Sequence, residues 1–74
     1  MDETVALKLL GNRIREIRKE KRYSQEELAS RAGLDRSYMG HIERGEKNIT
    51  ILKLLMIASA LSTKPSDLID ILDN

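Results

Sequence analysis

Side chains rich in hydrogen-bond donors stand together in the middle of the chain, in the stretch LDRSYMGHIERG. Arg36, Ser37 and Tyr38 come in succession, and His41 lies four residues after Ser37. An arginine can donate two parallel hydrogen bonds to O6 and N7 of a guanine, and serine and tyrosine hydroxyls can bond base edges or phosphates. The pattern indicates a partner outside the chain, provided that the surrounding elements present these groups on one face.

The composition gives little support to other kinds of chemistry. Cysteine is absent and His41 is the single histidine, so no thiolate or zinc site is expected. The sequence contains no visible nucleophile–base set and no glycine-rich phosphate loop. It therefore predicts no enzyme, no metal and no cofactor. The net charge is only +1, and the basic stretch at residues 13–22 is, on composition alone, more typical of a solvated helix face.

The length of 74 residues predicts one domain over residues 1–74, small enough to gain stability by oligomerising. The opening MDETVALKLLGNR is acidic and amphipathic, unlike a signal peptide. No apolar run is long enough to span a membrane. We therefore expect a cytoplasmic protein that does not act at membranes.

Helix signals dominate the chain and predict an all-α fold of five short helices. A first helix over about residues 5–21 follows from apolar residues spaced by three and four, namely Leu7, Leu10, Ile14 and Ile17. Capping residues delimit the others: Ser24 with Glu27 and then Gly33 for the second, Asp35 and Gly45 for the third, Thr50 for a fourth over about 51–61, and Pro65 for a fifth over about 65–72.

The second and third predicted helices have the spacing of a helix-turn-helix. Gly33 suits the sharp turn between them, and Ala29 is small where the helices cross. Apolar residues expected to fill the space between the helices are Leu28, Ala32, Leu34, Met39 and Ile42. The polar residues of the third helix then face outward, and its N-terminal end would enter the major groove of DNA.

The stretch SQEELASRAGLDRSYMGHIERGEKNIT resembles the helix-turn-helix of phage-repressor-like (XRE) transcription regulators. The resemblance runs from about Ile14 to Ile69 and implies a five-helix lambda-repressor-like DNA-binding domain. Within that family, LDRSYMGHIERGEKNIT is similar to the controller proteins of restriction–modification systems. Arg22, where relatives often have glycine, and Ile49, where proline is common, depart from the pattern and bear on the loop geometry.

The residues predicted to read DNA bases are Arg36, Ser37, Tyr38 and His41. Each has an alternative interpretation. Arg36 could pair with Asp35 or with solvent, and Ser37 could merely cap the helix. Tyr38 could lie on the domain surface, and an exposed His41 needs no DNA contact.

A second group is predicted to bind the DNA backbone and to position the protein without reading sequence. Ser24 and Gln25 begin the second helix, whose N-terminus can hold an anion. In similar regulators the residue that matches Gln25 binds a backbone phosphate. Gly40 is expected to let a phosphate approach closely, since glycine inside a helix otherwise costs about 0.5–1 kcal/mol. Lys47 and Asn48 follow the third helix and resemble further backbone contacts.

Arg18 and Glu43 are predicted to form a partly buried ion pair. Arg18 lies four residues after Ile14 and Glu43 four after Met39, so both lie on inner helix faces. The resemblance implies the same pair, which would tie the first helix to the third. The alternative is two separate solvated charges.

The fourth predicted helix, ILKLLMIASAL, is apolar on nearly all sides. Its expected core stripe is Ile51, Leu54, Ala58 and Leu61, and its second apolar stripe is Leu52, Leu55 and Met56. A chain of this size has little else to cover the second stripe. We therefore expect a homodimer, in keeping with the pairing of similar regulators through this region. The alternative is a monomer in which the fifth helix covers that stripe.

These observations together predict a dimeric regulator that binds an inverted repeat in double-stranded DNA. If the controller resemblance holds, the regulated genes are a restriction endonuclease gene and its own, and an activator would also meet RNA polymerase. Rival interpretations are another phage-repressor-like regulator, an antitoxin, and a protein-interaction module with an unused helix-turn-helix surface. An antitoxin needs a toxin-binding tail, and only Asp73 and Asn74 follow the last predicted helix.

Overall fold

A computed structural model describes residues 1–72. Asp73 and Asn74, which follow the last predicted helix, lie outside the described residues. Over the described range the chain is helical, without a strand. The helices are α1 (Glu3–Glu20), α2 (Gln25–Ala32), α3 (Arg36–Glu43), α4 (Ile51–Ala60) and α5 (Pro65–Ile69), followed by a 3-10 turn at Asp70–Leu72. The predicted all-α, five-helix fold is confirmed, and the last predicted helix divides into α5 and the turn.

Local capping explains where most helices begin. α1 begins two residues earlier than predicted because the Asp2 side chain accepts a hydrogen bond of 2.7 Å from the Thr4 N–H. Ser24 caps α2 by accepting from the Glu27 N–H at 2.9 Å. The reciprocal half of the predicted capping box is missing, because the Glu27 side chain pairs with Arg31 instead.

The turn between α2 and α3 depends on Gly33. Its φ of 72° and ψ of 28° place it in the left-handed region, which glycine occupies without a Cβ clash. Its N–H donates to the last turn of α2, and the Leu34 N–H donates to Ala29 O at 2.8 Å. Asp35 holds the N-cap position of α3 as predicted, although its side chain makes no capping hydrogen bond.

Residues from α1 to α5 share one core. The helix-turn-helix contributes the residues that the sequence predicted, with Leu34 only partly buried. One assignment in α4 is wrong: Ile51 is 71% exposed, and Ile57 is fully buried in its place. Ile51 is the first residue of α4, where the helix extends past the core that covers its later turns. The buried set is Leu10, Ile14, Ile17, Leu28, Ala29, Ala32, Met39, Ile42, Leu54, Ile57, Ala58, Leu61 and Leu68.

Gly11 lets α1 approach the end of α3 closely. A Cβ built on Gly11 would stand 2.6 Å from the backbone carbonyl oxygen of Glu43, too close for any real side chain. Arg18 lies two helical turns further along the same face of α1. The close approach of these two helices thus sets the position of Glu43 relative to α1.

Candidate nucleic-acid interface

The first turn of α3 presents polar side chains to solvent. Arg36 and Ser37 are exposed, while Met39 and Ile42 on the opposite face are buried. Within residues 1–72, neither the guanidinium of Arg36 nor the hydroxyl of Ser37 makes a hydrogen bond, and Arg36 forms no ion pair with Asp35. Their donors are therefore available to an external partner.

Tyr38 is held more firmly than its neighbours. Its ring is half-buried against the core, and Lys53 Nζ of α4 lies 4.4 Å from the ring centroid. That distance is typical of a cation–π contact, which links the first turn of α3 to α4. Lys53 was not connected with this surface from the sequence, because the contact joins residues of two different helices.

Gly40 is covered, contrary to the outward position expected for it. It is buried beneath two side chains: a Cβ at this position would lie 3.3 Å from Gln25 Oε1 and 3.2 Å from an Arg44 guanidinium nitrogen. Gly40 is also one of the residues that line a polar pocket of about 260 Å³. The pocket lining comprises Gln25, Arg36, Ser37, Gly40, His41 and Arg44.

Arg18 and Glu43 meet as two parallel hydrogen bonds. Arg18 Nε donates to Glu43 Oε2 at 2.8 Å, and Arg18 Nη2 donates to Glu43 Oε1 at 3.1 Å. The two side chains are 11% and 3% exposed, so the pair is shielded from water. Arg18 Nη1 also donates to Tyr23 O at 2.9 Å, and Gln25 Nε2 donates to Glu43 Oε1 at 3.1 Å. The bidentate geometry makes this a strong pairing.

His41 belongs to an exposed cluster at the end of α3. Its Nδ1 lies 2.7 Å from Glu46 Oε1, and Arg44 Nε lies 3.2 Å from the same oxygen. The hydrogen bond with His41, followed by the charge and hydrogen bond of Arg44, lowers the pKa of the Glu46 carboxyl below 4.5. The His41 ring is thus already paired within the chain, which the sequence did not predict.

Four other residues were predicted to contact the DNA backbone, two at the start of α2 and two in the turn after α3. Lys47 and Asn48 are exposed in the turn after α3, and within residues 1–72 their side chains make no hydrogen bond. The Ser24 Oγ accepts the capping hydrogen bond of α2, so its hydroxyl hydrogen remains available. Gln25 is half-buried, with its amide bonded to Glu43.

Comparison with known proteins agrees with this geometry. The helix-turn-helix family matches residues 14–68, which is most of the chain. The chain belongs to the helix-turn-helix family. The predicted resemblance to XRE regulators and the predicted lambda-repressor-like fold are confirmed.

The relatives of this helix-turn-helix protein include restriction–modification control proteins. The chain is 42% identical over 55 residues to control protein C.SmaI of Serratia marcescens, a match that covers 74% of this chain and 66% of that protein. It is 41% identical over 63 residues to C.BamHI of Bacillus amyloliquefaciens, covering 84% and 78%. The crystal structure of the restriction-modification controller protein C.AhdI from Aeromonas hydrophila superposes with a TM-score of 0.85 at 45% identity, covering 86% and 97%. The chain is therefore a transcription regulator of the helix-turn-helix type, similar to these control proteins, and not an enzyme.

The helix-turn-helix protein also exposes an apolar face on α4. Ile51 is 71% exposed, Leu52 67% and Leu55 44%, while Met56 is half-buried. Exposed leucine and isoleucine side chains in neighbouring positions of one helix are unusual for a surface without a partner. The correction at Ile51 enlarges the stripe that the sequence predicted.

Residues 1–72 contain no group of three histidine, cysteine or acidic side chains arranged to hold a metal ion. Within the same range no helix combines the length and the hydrophobicity that a membrane crossing requires.

Proposed function

We propose that the chain is a dimeric, sequence-specific DNA-binding regulator of restriction–modification genes in the cytoplasm. The observation that carries the proposal is the first turn of α3, where the Arg36 and Ser37 side chains have no hydrogen-bond partner within the described residues. In a helix-turn-helix this turn enters the major groove. The missing acceptors would be base edges.

The interface divides into base-reading and backbone-binding residues. Arg36 suits a guanine, Ser37 a base edge, and Tyr38 a thymine methyl group or a phosphate. His41 keeps its Nδ1 on Glu46, which leaves its Nε2 to contact DNA. Residues proposed to bind phosphates are Ser24, Gln25, Gly40, Lys47 and Asn48, and Gly40, which is buried, would contribute only as part of the pocket lining beneath Gln25 and Arg44.

The regulated genes are inferred from the relatives. Control proteins stand among the matches by sequence and by structure, and the alignment to C.AhdI covers nearly all of that chain. We infer that this chain acts at promoters of a restriction endonuclease gene and of its own gene. Contact with RNA polymerase would accompany activation, and repression would need only occupancy of the promoter.

Selection of bound sites from random double-stranded DNA tests the proposal, and the Arg36→Ala variant then sharpens it. Arg36→Ala should lose roughly 1–3 kcal/mol of discrimination at one G·C pair in each half-site. The matched control Lys47→Ala should weaken binding to all sequences alike and reduce the salt slope. A uniform loss from Arg36→Ala would make Arg36 a phosphate contact. A wild-type chain that binds no duplex would favour the interaction-module interpretation.

The apolar face of α4 supports the proposed homodimer. Ile51, Leu52 and Leu55 are exposed together, and burying such side chains is favourable by about 25 cal/mol per Å² of apolar area. A two-fold dimer would use the same face on both copies and would present two α3 helices to one side of DNA. The half-sites should then form an inverted repeat spaced by whole helical turns, about 34–36 Å or a multiple.

Leu52→Glu tests the dimer because it places a charge in the middle of this face. Sedimentation at micromolar concentration should show a dimer for the wild type and a monomer for Leu52→Glu. Val5→Glu is the matched control, since Val5 is also exposed but lies on α1. Monomers should bind a half-site and lose the gain from linking two binding events. A dimeric Leu52→Glu chain would place the interface elsewhere.

A further inference from the structure

The Gln25 side chain is already fixed in the absence of any ligand. It begins α2, is half-buried, and donates from Nε2 to Glu43 Oε1 at 3.1 Å. Its Oε1 lies beside Gly40, 3.3 Å from where a Cβ of that residue would stand. A side-chain amide carries two hydrogens, and one of them is used here. The hydrogen bond to Glu43 restricts the orientation of the amide and leaves its second N–H for another acceptor.

The Glu43 carboxylate is a rigid acceptor for that amide. Arg18 donates to both of its oxygens, and the Glu43 side chain is only 3% exposed. Arg18 is itself fixed by a hydrogen bond of 2.9 Å to Tyr23 O. The contacts run from α1 through Glu43 of α3 to Gln25 of α2. Such a network orients its last member better than a surface side chain could orient itself.

Three arginines share a pocket with the Gln25 amide. The pocket has a volume of about 320 Å³ and is lined by Arg15, Arg18, Gln25, Glu43 and Arg44. Gln25 and Arg44 also line the adjoining pocket beside Arg36. Arg15 and Arg44 are exposed and line the same pocket as the amide. A phosphate is the ligand that matches an N–H donor in a pocket lined by guanidinium groups.

We propose that Glu43 is a positioning residue for DNA binding: held by Arg18, it fixes the Gln25 amide to donate to one backbone phosphate in the pocket that Arg15 and Arg44 also line. The ion pair then has a function beyond joining α1 to α3. This inference rests on the proposed function, because it concerns how the same surface binds DNA. It adds Arg15 and Arg44 to the backbone-binding residues.

A double-mutant cycle tests the positioning role. In the wild-type chain, Gln25→Ala should weaken binding to a mixed-sequence 30-base-pair duplex about tenfold, the loss typical of a hydrogen bond to a charged group. In a chain carrying Arg18→Met and Glu43→Leu, the amide is no longer aimed, so adding Gln25→Ala should change the affinity less than twofold. The control Lys47→Ala should lose the same factor in both backgrounds.

The outcomes separate this inference from the proposed function. An equal loss from Gln25→Ala in both backgrounds overturns the positioning role while leaving DNA binding intact. A wild-type chain that binds no duplex overturns both. If the double substitution prevents folding, NMR relaxation of the free wild-type chain decides. The order parameter of the Gln25 side-chain amide should approach the rigid value of about 0.85, while that of the exposed Asn48 amide should stay below about 0.6. A Gln25 amide as mobile as that of Asn48 overturns the inference.

Discussion

Glu43 and Glu46 lie three residues apart at and just after the end of α3. Each pairs with an arginine, but the two side chains differ in their exposure to solvent. The Glu43 side chain is 3% exposed and accepts two hydrogen bonds from Arg18. The Glu46 side chain is 49% exposed and is shared between His41 and Arg44. Two unit charges 4 Å apart attract by about 1 kcal/mol in water and by several times more near a protein interior. Burial, rather than residue type, therefore separates the two clusters.

Because the two clusters differ in burial, they differ in how easily their contacts can be broken. The Arg18–Glu43 cluster cannot open without stranding a charge away from water, so it holds α1, α2 and α3 in fixed relation. The exposed His41–Arg44–Glu46 cluster can exchange its contacts for water or for a ligand with little loss of free energy. An interface on DNA needs both properties: a frame that does not move, and surface side chains that adjust to the bases.

The largest expected effect comes from breaking the buried cluster. Arg18→Met or Glu43→Leu alone should lower the free energy of unfolding by about 3–5 kcal/mol, because the remaining charge is left unpaired. The double substitution should cost less than either single one. Urea denaturation followed by circular dichroism gives these values. The exposed pair of Glu27 and Arg31 is the matched control, and breaking it should cost only about 0.2–1 kcal/mol. Small, additive losses at Arg18 and Glu43 would contradict the comparison.

A smaller loss of stability is expected from Gly11→Ala, because the added methyl group would clash with the α3 backbone at Glu43. The new Cβ would stand 2.6 Å from Glu43 O, and neither helix backbone can move aside easily. Overpacking of this kind costs typically 1–3 kcal/mol. Thermal unfolding measures the loss. Asn12→Ala is the control, since Asn12 is exposed on the next position of α1 and alanine favours a helix there. Equal stability of the two variants would show that α1 and α3 have room to separate.

The sequence was a good guide to features that depend on neighbouring residues. Ser24, Gly33 and Thr50 cap their helices where predicted because capping involves residues only a few positions apart. The facing of Arg18 and Glu43 followed from helical periodicity. Arg22, which departs from the family pattern, has a left-handed φ of 62°, a backbone conformation that the sequence did not predict for an arginine.

The features that the sequence did not predict depend on how the helices cross. The bond between Gln25 and Glu43, the covering of Gly40 and the ring contact of Lys53 all join residues from different helices. Periodicity identifies which face of a helix points inward. It does not show how many residues of that face are covered by the neighbouring helices. Ile51 was misplaced for this reason: it has the right phase for the core and lies beyond its edge.

The smallest expected effect is a pH-dependent contribution from Glu46. The hydrogen bond with His41 and the nearby Arg44 lower the pKa of its carboxyl from 4.5 in the folded chain. A carboxyl with a lowered folded-state pKa stabilises the fold above its unfolded pKa, and this contribution disappears as the pH falls through the folded value. Since Glu46 is exposed, the effect should be slight and should shrink in 1 M salt. The melting temperature of Glu46→Gln should therefore lie just below that of the wild type at pH 6, and the two should coincide once the pH is well under 4.5.

Glu26→Gln is the control, because Glu26 is exposed and forms no ion pair within residues 1–72. A difference for Glu46→Gln as large as that for the buried pair would mean that the cluster is rigid, and the division between a fixed frame and an adjustable surface would be wrong.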